Sequence, residues 1–166
     1  MTTPWQRVRQ FFLHLAARMG EPEHALVARH LNPDERRLFY GMHVADQRHS
    51  VEVVRTLLAR DPAAPERLLK LALLHDIGKQ RVDFRLWERV AVVLWPRRGL
   101  ALPDEPLQAG WRRAWQIKRW HAEYGARMLE ALPESGPEMA ALLRQSELDP
   151  APSEELAAFH RADDLN

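Results

Sequence analysis

His75 and Asp76 stand side by side where the apolar run LLKLALL ends, in the segment LLKLALLHDIGKQ at 68–80. Moving an unpaired imidazole or carboxylate into apolar surroundings costs several kcal/mol, so such groups are paired there or bound to a metal. The plainer alternative sets both residues past the helix end, in water. Three further stretches carry hard or borderline ligands near helix ends or beside apolar helix faces. They are His49 in DQRHSVEVVRTLL, His121 in RWHAEYGARML and Asp163 in HRADDLN. Two or three imidazoles with two carboxylates suit a six-coordinate divalent cation that keeps positions open for water. Cysteine is absent, which removes thiolate sites and disulfides and suits a reducing cytoplasm.

Helices have to position these groups, because proline and glycine punctuate the chain at helical intervals. Thr3-Pro4 reads as a cap with a first-turn proline, and Gly20 as the end of that helix. Asn32-Pro33-Asp34-Glu35 repeats the start signal, with Glu35 placed as a capping-box partner. Pro65 opens the segment that leads to His75-Asp76. In VDFRLWERVAVVLW at 82–95, Val82, Leu86, Val90 and Val93 share one helical stripe, which Pro96 stops. PRRGLALPDEP at 96–106 reads as a loop. Helices follow at about 107–131, broken or bent near Trp120, then at 137–147 and at 153–165 with Ser153 as cap. No alternating segment bounded by turn residues reads as a strand, so the expected fold class is all-α.

The chain has 166 residues, which suits one domain able to bury a single core. We expect the metal-site core at about 38–166, with N-terminal helices at 3–31 packed on it. A formal net charge of +1 gives no global field demanding nucleic acid or an anionic membrane. No run reaches the ~18 apolar residues of a membrane span. FFLHLAARMG follows two arginines and contains His14 and Arg18, so it reads as an amphipathic helix rather than a signal peptide. Neither a membrane nor a nucleic-acid partner is expected, and the composition leaves the oligomeric state open.

In this arrangement the chain resembles the HD-domain metal-dependent phosphohydrolases, whose pattern is a His, a His-Asp doublet and a distant Asp on the helices of an all-α bundle. HDIGK at 75–79 has the form of the HDIG subgroup. His49, followed by Ser50, matches the first histidine of the pattern, and Asp163, preceded by Ala162, the closing aspartate. His121 with Gly125-Ala126 matches the subgroup's His-x-x-x-Gly-Ala element, and the likeness runs from about Leu38 to Asn166.

The resemblance implies an HD-domain helical bundle in which His49, His75, Asp76 and Asp163 hold one divalent metal. Asp164 would replace Asp163 if the register slipped by one. Mn2+ is favoured, with Fe2+, Co2+, Ni2+, Zn2+ and Mg2+ as other candidates. The ion would lower the pKa of its bound water and polarise a phosphoryl oxygen. Asp76 would orient that water or accept its proton, and Lys79 would meet phosphate charge as a point cation. His121 would line the pocket, for a second metal or a phosphate oxygen, and Arg48 and Arg81 flank the ligands. Relatives often carry a histidine or a pair on the helix after the His-x-x-x-Gly-Ala element. LLRQSE here offers Gln145 and Ser146, poor ligands, so one metal is expected rather than two. The implied function is cytoplasmic hydrolysis of a phosphoester in a small phosphorylated substrate, a nucleotide or related metabolite. The Gly-Tyr-Pro triplet of the cyclic-di-GMP phosphodiesterase branch is missing, as is the acidic pair of guanosine-tetraphosphate hydrolases.

Two other readings stand beside this one. A regulatory HD module would bind a metal or nucleotide without turnover, in keeping with the missing histidine at 145–146. A nucleic-acid-binding helical domain would use WRRAWQIKRWH at 111–121, where Trp111, Trp115 and Trp120 alternate with basic residues. Helical spacing of large apolar residues is, however, the ordinary mark of core packing. His14, His24, His30 and His43 have no motif context. His160 lies one turn before Asp163, either within reach of the site or on a helix surface.

Overall fold

The computed structural model describes residues 19–81, 111–133 and 136–166. The expected helices at 3–20 and 82–95 and the loop at 96–106 lie outside them, apart from Gly20, which serves as the N-cap of the first described helix. The described elements are α1 (Glu21–His30), α2 (Pro33–Tyr40), α3 (Val44–Arg60), α4 (Glu66–Leu74), a short 3-10 helix (Ile77–Arg81), α5 (Trp111–Glu130), α6 (Gly136–Gln145) and α7 (Glu154–Asp163). No strand occurs among the described residues, and the fold is all-α.

Local sequence sets several of these boundaries. The Asn32 side chain accepts hydrogen bonds from the backbone of Asp34 and Glu35, and Glu35 accepts from the Asn32 N–H, closing the capping box of α2. Glu35 also accepts from Lys70 Nζ at 3.0 Å, so a buried capping residue ties α2 to α4. Ser153 Oγ caps α7 by accepting from the Leu156 N–H at 3.2 Å. α5 departs from expectation: it runs unbroken through Trp120 for 20 residues. No proline or glycine lies between Trp111 and Tyr124, and a tryptophan costs a helix only a fraction of a kcal/mol.

The core joins these helices through Val51, Val54, Leu71, Leu74, Ile77, Leu129, Leu143 and Phe159, all buried. Around it α3 packs on α4 and α7, while α5 packs on α6 and on the 3-10 helix. Leu68, Leu69, Leu71, Ala72, Leu73 and Leu74 bury α4 almost all round, so its end delivers His75 and Asp76 into the interior.

Gly78 decides how closely the 3-10 helix meets α5. A Cβ there would stand 1.8 Å from the His121 carbonyl oxygen and 2.7 Å from the Gly125 nitrogen, both backbone atoms. At Gly125 a Cβ would meet Ile77 Cγ1 and Leu143 Cδ2 at 3.0 Å and the Gly78 nitrogen at 3.3 Å, a milder approach than at Gly78. Gly78→Ala should therefore destabilise the fold by about 3 kcal/mol or more, at or above the upper end of overpacking costs. Gly125→Ala should cost clearly less, because its closest approaches are 3.0 Å to side chains and 3.3 Å to backbone rather than 1.8 Å to a carbonyl, and helix propensity improves by up to ~1 kcal/mol. Urea unfolding of both variants checks the ranking, and equal losses would contradict the close-approach account.

Candidate metal centre

Two histidines owe their ring orientation to the carbonyl three residues earlier. His75, the C-cap of α4, donates from Nδ1 to the Ala72 carbonyl at 2.9 Å. His121 on α5 donates from Nδ1 to the Lys118 carbonyl at 2.9 Å. In each neutral ring this leaves the Nε2 lone pair free, and both Nε2 atoms approach Asp76 Oδ1, at 3.5 Å and 3.6 Å. His49 comes from α3 and Asp163 from the end of α7. His49 Nε2 donates to Asp163 Oδ1 at 2.8 Å, and His75 Nε2 lies 3.5 Å from the same oxygen. Ligand atoms of His49, His75 and Asp76 lie within 4.8 Å of one another.

Asp76 is 1% exposed, and its two oxygens are treated differently. Oδ2 accepts from Lys79 Nζ at 2.5 Å. Oδ1 is buried without a hydrogen-bond partner. A buried carboxylate oxygen left bare is costly, and one facing imidazole lone pairs rather than N–H groups is suited only to a cation. The donor set of His49, His75, Asp76 and Asp163 fits a divalent ion with open positions.

The charges agree with this. Burial pushes Asp76 towards its neutral form, but His75, Lys79, His121 and His49 outweigh it and hold the carboxyl far below its ordinary range. Burial also works against the ionised form of Asp163, and there the hydrogen bond from His49 prevails and lowers it. For His49 burial acts downward, while Asp163 and Asp76 raise it above its ordinary 6.5. Lys79 keeps its proton against burial because Asp76 and Asp46 raise it. Burial and then the Lys79 charge push His121 down, so its ring is neutral near pH 7.

A cleft of about 400 Å³ opens onto these groups. His49, His75, Asp76, Lys79, His121 and Asp163 all line it. Arg48 does not; it lies 3.8 Å from Glu52 on its own helix. Asp164, the register alternative, is the exposed C-cap of α7. Ser146 lines the cleft, but its hydroxyl donates to the Leu143 carbonyl at 2.7 Å. Gln145 faces a different cleft, beside Glu66, Arg67 and Lys70. His160 also lines the metal-facing cleft, with its Nε2 donating to the Ser146 carbonyl at 2.5 Å. Trp115 is buried, and neither it nor Trp120 lines the cleft, which favours packing over base stacking. The Arg81 side chain lies outside the described residues.

Glu147 and Lys118 are among the cleft residues that escaped the sequence reading. Glu147 Oε1 lies 3.7 Å from His121 Nε2, and Lys118 stands three residues before His121 on α5. The three-residue spacing was a usable signal for Lys118. Glu147 had none beyond its place beside Ser146.

The family model of the HD domain matches residues 47–166. None of the curated proteins and none of the solved structures matches the chain.

Metal binding here should depend on pH with a definite sign. A proton on His49 competes with the ion, and the raised pKa keeps that proton on to a pH above 6.5. Affinity for Mn2+ should therefore climb as pH rises through that region, with net proton release on binding. Calorimetry in buffers of different ionisation enthalpy reads both quantities, and an affinity flat from pH 6 to 8 would contradict the assignment. In the metal-free protein the His49–Asp163 pair stabilises the fold most between the ordinary carboxylate range and pH 6.5, the contribution fading as pH rises through the raised His49 value and again as acid protonates Asp163.

Proposed function

The chain belongs to the HD-domain family, a group of metal-dependent hydrolases, and from that premise we propose that it is a phosphohydrolase holding one divalent ion. In this reading His49, His75, Asp76 and Asp163 hold the ion, with Mn2+ favoured, and the substrate is a phosphoester of a nucleotide or related metabolite. The observation that carries the reading is the bare, buried Asp76 Oδ1 between the Nε2 atoms of His75 and His121. When bound, a divalent ion supplies a water of lowered pKa and polarises a phosphoryl oxygen.

The chain's own groups do the rest. Asp76, held ionised well below the ordinary carboxylate range, would offer its bare Oδ1 to the ion while Lys79 anchors Oδ2. That 2.5 Å contact gives Lys79 a task nearer than the phosphate: it holds the carboxylate in place and balances its charge. His121, neutral and directed into the cleft, meets a phosphoryl oxygen or the leaving oxygen from the α5 side. The reaction adds one water across the ester: the water oxygen bonds to phosphorus, the P–O ester bond breaks, and the departing oxygen leaves as an alcohol after taking a proton. With the Ser146 hydroxyl spent on Leu143 and Gln145 in another cleft, neither completes a second site. One tightly held ion is therefore the expected stoichiometry. The same observation favours the second reading, a regulatory module that binds a metal or nucleotide without turnover.

Elemental analysis, with hydrolysis of a nucleotide panel and bis-p-nitrophenyl phosphate in Mn2+, separates the two. Turnover with one ion per chain supports the phosphohydrolase; a full metal complement with no turnover on any substrate supports the module. Asp76→Ala should lose the ion and the activity together, by more than the ~10–100-fold that removal of an outer partner costs. Lys79→Ala should weaken metal affinity only within that ~10–100-fold range, since an ammonium is no ligand at neutral pH but does orient one. Full metal content in Asp76→Ala would overturn the site, and two tightly held ions in the unaltered protein would overturn the stoichiometry.

A further inference from the structure

Lys118 leaves the face of α5 that also carries His121, one turn along, and it lines the same cleft. It differs from Lys79 in one respect. Lys79 is matched by Asp76 at 2.5 Å. Lys118 is exposed and makes no side-chain hydrogen bond or ion pair among the described residues. Burial and the charge of Lys79 both push its ammonium below the ordinary lysine value, which places the two cations within electrostatic reach of each other. Two ammonium groups on one cleft repel, and no packing role offsets that cost for an exposed side chain. The nearby carboxylates do not remove it: Glu147 approaches His121 at 3.7 Å, and Asp149 lines the wall without an ion pair to Lys118. A cleft of about 400 Å³ has room beyond one phosphoryl group.

We propose that Lys118 is a positioning residue for a second phosphate, so that the substrate carries a phosphate chain of at least two units. The phosphoryl group whose ester P–O bond breaks sits against His49, His75, Asp76 and Asp163, and the next phosphate sits on the Lys118 ammonium; water adds to the first phosphorus, the alcohol departs with a proton, and the two phosphates leave joined as diphosphate. This rests on the phosphohydrolase reading and deepens it, from a phosphorylated metabolite to one bearing a di- or polyphosphate. Glu147, beside the His121 ring, disfavours an anion at its own carboxylate.

The test compares adenosine monophosphate with adenosine diphosphate as probes on the Mn2+-loaded full chain, by calorimetry, for the unaltered protein, Lys118→Ala and Lys118→Arg. The unaltered protein should prefer the diphosphate. Lys118→Ala should lose about tenfold in diphosphate affinity, the worth of one charge-assisted contact, with monophosphate affinity held within about twofold. Lys118→Arg should keep the preference. The alanine variant retains the backbone carbonyl that orients His121, and unchanged thermal melting and metal content confirm that the site is intact. No preference in the unaltered protein, binding of neither probe, or an equal change for both probes in Lys118→Ala overturns the proposal. Where turnover is measurable, KM for diphosphates should rise with kcat preserved. A diphosphate preference that depends on Lys118, in a protein that hydrolyses nothing, would leave the subsite standing and overturn the phosphohydrolase reading alone.

Discussion

Asp76 carries the constraint on which the site depends: a carboxylate driven into the interior, neutralised on one side and bare on the other. Leaving a buried polar group unsatisfied costs about 1–3 kcal/mol, and more when it is charged. A protonated Asp76 would reduce that cost, yet the charged Lys79 ammonium on Oδ2 helps keep it ionised. The fold thus holds a negative charge where an apolar side chain would be more stable. That is the signature of a group retained for binding rather than for stability.

Everything around Asp76 follows from getting three helices close enough to it. α4 ends at Leu74, so the His-Asp doublet turns inward on a short 3-10 helix instead of continuing outward. The bare backbones of Gly78 and Gly125 let that turn sit on α5, and this approach brings His121 Nε2 to 3.6 Å from Asp76 Oδ1. Carbonyls of Ala72 and Lys118 then fix both ring tautomers without any specialised side chain. The two glycines of the HDIGK and His-x-x-x-Gly-Ala elements are therefore two sides of one contact.

Much of this was legible in the sequence because it is local. Asn32 with Glu35, Pro65 and Ser153 start helices through contacts within one turn, which composition and spacing reveal. The metal-facing set was legible as a pattern of ligand types, and the structure brings His49, His75, Asp76, His121 and Asp163 to one cleft. What depends on the direction of a side chain in three dimensions was not legible. Arg48 precedes His49 by one residue and so points about 100° away around α3. Gln145, Ser146 and Glu147 are consecutive, yet they reach another cleft, the interior and the His121 ring respectively. α6 ends at Gln145, and past a helix end no fixed angular period relates neighbours. The break expected in α5 failed for a simpler reason, since bulky aromatics tax a helix too little to stop it.

Charge bookkeeping at the cleft explains why a chain of net charge +1 needs no basic surface to attract an anion. Asp76 and Asp163 contribute two negative charges and Lys79 one positive, and a divalent ion turns that sum from one negative to one positive. Lys118 adds a second positive charge from an exposed position, while Glu147 and Asp149 add negative charge to the same lining. On the proposed reading, the field that would meet a substrate is switched on by the ion and confined to the cleft, because beyond ~8–10 Å ordinary salt screens it. In that reading the inner site without the ion would hold no excess of positive charge for a phosphate, and the ion would supply it. Metal and anionic substrate are then coupled through Asp76, whose second oxygen belongs to Lys79 before either arrives.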